Sequence, residues 1–109
     1  MRYPTELDYV LKIREGQGLP KDPQLGVVYE FTKTIERIYP LRIPILLVDD
    51  DLNAYGKCVI LQTNVGKGNT TGLYEIVSLF DEEERKIFTK DIKESFEIAK
   101  TLEERMNQP

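Results

Sequence analysis

The residues that could carry chemistry in this chain are few. Asp49, Asp50 and Asp51 stand together with Asn53 two positions on. Cys58 is the only thiol, and Glu75 lies within an otherwise apolar run. Gly66, Gly68 and Gly72 flank Lys67, Asn69, Thr70 and Thr71. There is no histidine, which removes the commonest general base, a principal zinc ligand and the usual partner of a serine or cysteine nucleophile.

The aspartates invite a calcium reading, because oxygen ligands at alternating positions open an EF-hand loop. Ala54 stands where that loop needs its turn glycine, and Ile60 where it needs a bidentate glutamate. The spacing therefore predicts a solvated turn. The glycine-rich run resembles a phosphate cradle only loosely. A P-loop needs Gly-Lys-Ser/Thr leading into a helix, whereas here Lys67 is followed by Gly68 and then by a strand pattern. Cys58 sits in apolar company and reads as a small buried hydrophobe. Glu75 is the one candidate for a shifted carboxylate, with Arg37 or Arg42 as its partner or simple exposure as its fate. Taken together these residues point away from catalysis. No catalytic, cofactor-binding or metal-ligating residue is assigned, and no cofactor is implied.

The elements that must position these side chains begin with a strand over residues 6–14, where Leu7, Tyr9, Leu11 and Ile13 alternate, with Val10 the exception. Glu15 to Gly26 holds three glycines and two prolines and reads as a long loop. Val27 to Tyr39 reads as a hairpin turning near Lys33 and Thr34, or as one long bent strand. Pro40 and Pro44 place the next stretch at an edge or corner, and the Tyr39–Pro40 and Ile43–Pro44 bonds are candidates for the cis form. Ile43 to Val48, Lys57 to Gln62 and Leu73 to Phe80 form a meander, joined by the aspartate turn and by a hairpin loop over Asn64 to Gly72. Strands apolar on both faces, as the last two are, require cover.

From Asp81 the apolar period changes to about 3.6. Ile92, Phe96, Ile98, Ala99, Leu102 and Met106 fall within an arc of about 160° at ~100° per residue. Asp91 followed by Glu94 is a helix-start signature. Carrying the helix back through Asp91 would set a carboxylate inside the stripe, so the pattern predicts a break near Thr89, a helical turn before it and fraying over 107–109. The expected fold is α+β: a small twisted, mostly antiparallel sheet or partly closed barrel of five or six strands (residues 6–80), with a C-terminal amphipathic helical segment (81–106). Residues 1–109 read as one domain.

With 109 residues, a chain of this size buries about two-thirds of the surface it exposes unfolded, enough for a core without disulfides. One cysteine, no leader-like N-terminus and no run near the ~20 apolar residues of a membrane span suggest the cytoplasm. Net charge is −4, which disfavours nucleic acid. Nine acids against six bases fall from Asp81 onward, while the rest is near neutral at ten against nine.

Two segments, Tyr39-Pro40-Leu41-Arg42-Ile43-Pro44-Ile45 and Tyr74-Glu75-Ile76-Val77-Ser78-Leu79, with Gly56 and Thr70-Thr71 between them, resemble a family of short bacterial proteins, mainly from Bacillus-type organisms, classed as a domain of unknown function. The acidic tail after Leu79 and the loop at 15–26 depart from that pattern. The resemblance implies a bacterial cytoplasmic protein and carries no activity, cofactor or catalytic residue with it.

Function is expected to be that of a non-catalytic binding or regulatory module working through protein contacts, a homodimer among them. One alternative is a nucleic-acid-binding small barrel using Lys57, Lys67, Arg37 and Arg42, with tyrosines as stacking platforms. The other is a small-molecule site in a barrel mouth floored by Glu75 or Tyr74.

Overall fold

The structure, a computed structural model, describes residues 10–106. Leu7 and Tyr9 of the expected first strand, and the expected fraying at 107–109, lie outside them. The described chain runs β1 (Val10–Lys12), a 3-10 turn (Glu15–Gln17), β2 (Val28–Lys33), β3 (Ile45–Val48), β4 (Ala54–Gly66), β5 (Asn69–Leu79) and α1 (Glu82–Met106). The five strands form one sheet in the order β1-β3-β4-β5-β2. β1 joins β3 in parallel, and every other pairing is antiparallel. The fold is α+β, a mixed open sheet with a C-terminal helix. It does not close into a barrel.

The β3–β4–β5 meander forms as its residue pattern predicts. Val27 to Tyr39 does not make a hairpin: β2 stops at Lys33 and pairs along β5, with Val28 opposite Glu75 and Lys33 opposite Thr70. No Asn-Gly or Asp-Gly pair holds a turn at Lys33 and Thr34, and the long glycine-bearing partner strand captures β2 instead. Residues 34–44 then cross without regular structure. The buried hydroxyl of Thr70 tethers them, accepting from the Arg37 N–H at 2.8 Å and donating to the Ile35 carbonyl at 2.9 Å. No peptide bond among the described residues is cis.

The expected loop at 64–72 is shorter than its composition suggested. β4 and β5 run to Gly66 and Asn69, which pair directly, leaving only Lys67 and Gly68 at the tip. Gly68 takes φ of 80° there, a left-handed value open to glycine at little cost.

One sheet face carries the main core. Leu11, Phe31, Leu47, Cys58, Ile60 and Tyr74 are among its buried members, covered by Leu19 and Tyr39 from the irregular segments. Gly18 permits that cover. It sits at φ of 114° with its α-carbon against the Glu30 carbonyl, where no side chain would fit. The Tyr74 hydroxyl donates to its carbonyl at 2.7 Å.

The two edge strands meet across this same face. Lys33 ends β2 almost fully buried, and its ammonium donates to the Lys12 carbonyl of β1 at 2.6 Å. The Ile13 N–H of that same peptide unit goes to Val48 of β3, so the Lys12 carbonyl points off the open edge. Lys33 thus satisfies an edge acceptor that would otherwise be buried or left open to another strand. Lys33→Met should destabilise by about 1–3 kcal/mol, the usual penalty for an abandoned buried polar partner. A urea midpoint unchanged from wild type would remove this role.

Candidate functional site

The aspartate turn is a structural device. The Asp49 Oδ1 accepts from the N–H groups of Asp51 and Asn53, each at 2.9 Å. Its Oδ2 accepts from the Asn53 amide at 3.1 Å and from the Tyr55 hydroxyl at 3.2 Å. A carboxylate with four donors around it is spent on holding the β3–β4 connection. Asp50 pairs with Arg14 at 3.4 Å, both largely exposed. Among the described residues no cluster of three metal-ligating side chains forms.

Cys58 is fully buried, and burial pushes its thiol up from 9.0 to about 12. Tyr74 beside it is raised as well, first by desolvation and then by the charges of Cys58 and Tyr29. Tyr55 is raised by burial and by Asp49, against the opposing pull of Arg85. A thiol held protonated is no nucleophile at neutral pH.

The sign of the resulting pH dependence follows from proton counting. For both Cys58 and Tyr74 the folded state keeps a proton that the unfolded state releases. Their contribution is therefore whole below about pH 9 and is lost as pH climbs through 9 to about 12 for the thiol, and from 10 upward for the phenol. Stability should be flat from these groups at neutral pH and fall in alkali. A thiol reagent should label Cys58 only as fast as the chain unfolds, and rapid labelling of the native protein would contradict the burial.

Glu75 and Tyr74 do not share a pocket floor. Tyr74 points into the core, while Glu75 stands on the other face, flanked in register by Val59 and Val28. With the sheet open there is no barrel mouth for either to floor. The bases proposed for nucleic acid are also dispersed. Lys67 is at the hairpin tip, and Lys57 lies with its ammonium 5.9 Å from the Phe88 ring centre. Arg37 stacks on the Tyr39 ring, and Arg42 occupies the 34–44 segment. Tyr39 and Tyr74 are buried, and Tyr55 lies under Arg85, so none of the three offers a face to a base.

What remains is the helix, and there the sequence reading needs correction. α1 is continuous through Thr89 and Asp91. Its start is Asp81, whose Oδ1 accepts the Glu84 N–H at 2.8 Å while the Glu84 side chain accepts from the Asp81 N–H at 3.1 Å. This reciprocal pair is the same motif sought at Asp91 and Glu94, one run of residues earlier. Glu82, Glu83 and Glu84 complement the positive end of the helix dipole.

Asp91 causes no difficulty because only a narrow seam of the stripe is used. Phe88, Ile92 and Phe96, four residues apart, pack against Val10, Leu46, Val48 and Ala54 on the second sheet face. Phe80 stacks on Phe88 with ring centres 4.3 Å apart. Arg85 and Thr89 fasten the same end. The Arg85 Nε donates to the Ala54 carbonyl at 3.1 Å, and the Thr89 hydroxyl accepts the Ala54 N–H at 3.0 Å. Sequence reasoning gave neither residue this role, and set Thr89 only at an expected helix break, since a helical Arg and Thr at that spacing carry no pattern of their own.

The helix therefore passes from β4, where Lys57 meets Phe88, toward the edge strand β1, where Lys12 lies 5.9 Å from the Phe96 ring centre. Ten residues follow Phe96, about 15 Å of helix, and not one of their side chains is buried. Ile98, Leu102 and Met106 remain 54%, 47% and 59% exposed. Glu94, Glu97, Ile98, Thr101, Leu102 and Arg105 line a shallow groove of about 330 Å³ along this half. Among the described residues, no helix is long and apolar enough to cross a membrane.

This geometry defines a small α+β protein with one amphipathic helix docked by its first half only. No family model matches the chain, and no curated protein matches it in sequence. Among solved structures it is similar to the protein ytmB from Bacillus subtilis, a structural-genomics target, with a TM-score of 0.54 and 21% identity over 73% of this chain and 95% of that one. That likeness carries the fold and agrees with a Bacillus-type resemblance. It assigns no activity. The excess length is on the side of the present chain.

Proposed function

We propose that this chain is a non-catalytic binding module that acts through protein contacts, and that the distal half of α1 is its contact surface. One observation supports the reading above all: three large apolar side chains, Ile98, Leu102 and Met106, stay in water on a helical half that leaves the sheet. A helix that needed only to cover the sheet would end near Phe96. Continuing it with an apolar flank exposed costs solvation that an occupant would recover. The remaining chemistry favours no reaction, since Asp49 is spent on its turn and Cys58 is held protonated.

A photo-cross-linking residue placed at Ile98 tests the reading in cells producing the chain. A discrete protein adduct that is absent when the residue is placed at the exposed Lys100, on the opposite side of the helix, is expected. Equal labelling from both positions, or none from Ile98, removes the assignment.

A further inference from the structure

We infer that the occupant of the distal half of α1 is the same half of a second copy, packed antiparallel about a two-fold axis; this rests on the contact surface proposed above. The argument is one of order along the helix. The groove reads acidic, then apolar around one threonine, then basic: Glu94 and Glu97, then Ile98, Thr101 and Leu102, then Arg105. Reversing such a sequence and laying it on itself sets apolar against apolar in the middle and base against acid at both ends. That is the self-complementarity an isologous contact requires.

With the axis between the two apolar side chains, Ile98 of one copy meets Leu102 of the other. Arg105, three positions beyond Leu102, then falls beside Ser95 and Glu94 of the other copy. Two such pairs form per dimer. Neither can form within one chain, because Glu94 and Arg105 stand 11 residues apart, about 16 Å along a straight helix.

The alternative occupant, another part of the same chain, is not seen among the described residues: the helix enters the core through Phe88, Ile92 and Phe96, and Ile98, Leu102 and Met106 stay exposed. Pairing two ten-residue helix halves buries on the order of 500 Å² per copy. That is below the ~800 Å² of a standard interface, so a weak, reversible association is expected.

Sedimentation or light scattering of the purified chain from about 1 to 200 μM provides the test. A monomer–dimer equilibrium is expected, weakened at least about tenfold by Leu102→Asp. Arg105→Glu and Glu94→Arg should each weaken it about five- to tenfold, and the double exchange should recover most of that loss, because the pair is restored with its signs swapped. All three positions are exposed, so the thermal midpoint of the monomer should be unchanged and a folding defect would be visible separately.

A monomer throughout the range, or a double exchange no tighter than the single variants, overturns the dimer. If the Ile98 cross-linker then captures a different protein, the contact surface survives with another occupant. If it captures nothing, both readings fall.

Discussion

Gly72→Ala is expected to cost about 3 kcal/mol, the upper end of the usual range for overpacking a well-packed interior. Gly72 sits in β5 between Thr63 of β4 and Phe31 of β2. A methyl group there would run into the Gln62 carbonyl and come within 2.8 Å of the Phe31 ring. The ring cannot retreat. Phe31 is 2% exposed and meets Tyr39 edge-on, with ring centres 5.8 Å apart at 89°, and Tyr74 at 6.1 Å. The aromatic side chain lies over the cross-strand glycine and supplies the cover that glycine lacks. Gly16→Ala makes a fair control, since nothing lies within 4 Å of its added carbon, and it should stay within about 0.5 kcal/mol of wild type. Urea unfolding decides the matter: matching midpoints for the two variants would show that the packing around Phe31 is loose.

The second large effect separates the two halves of α1. Ile92 is 2% exposed, against Val10, Val48 and Ala54. Ile92→Ala removes three carbons from a filled site and should cost about 2–4 kcal/mol. Leu102→Ala removes as many from a side chain already half in water, and at submicromolar concentration should change stability by about 0.5 kcal/mol or less. Equal costs would mean that the helix is packed along its whole length, and the contact surface proposed for its distal half would disappear.

The central meander was legible because its strands combine β-branched residues, apolar faces and turn-forming gaps, three signals that agree. The destination of β2 was not. An alternating strand states which residues share a face, but its partner is chosen by the whole sheet, and β5 lies some forty residues downstream. The helix was legible in kind and misread in detail. Assuming that the full stripe must be buried made Asp91 look like a boundary, although Asp91 and Ile98 share the flank that the sheet never covers. Cys58 was correctly read as a buried hydrophobe from its apolar neighbours. Lys33 gave no sequence signal, since a lysine ending an exposed-looking strand betrays neither its burial nor its reach to Lys12. The clamp of Arg85 and Thr89 on Ala54 is equally silent, because it depends on where the helix lands.

The parallel joining of β1 to β3 also bears on how the molecule is assembled in time. β3, β4 and β5 are linked by short turns and can zip in sequence, whereas β1 and β2 must each find a strand more than thirty residues away. Closing that span before any contact rewards it is entropically expensive. Val10–Lys12, only three residues long and paired in parallel, should accordingly gain protection after the β3–β4–β5 meander in pulsed hydrogen exchange. Because the docked end of α1 packs on Val10 and Val48 together, the helix can seat fully only after that late arrival. A nascent chain would then display both halves of its helix before it hides one.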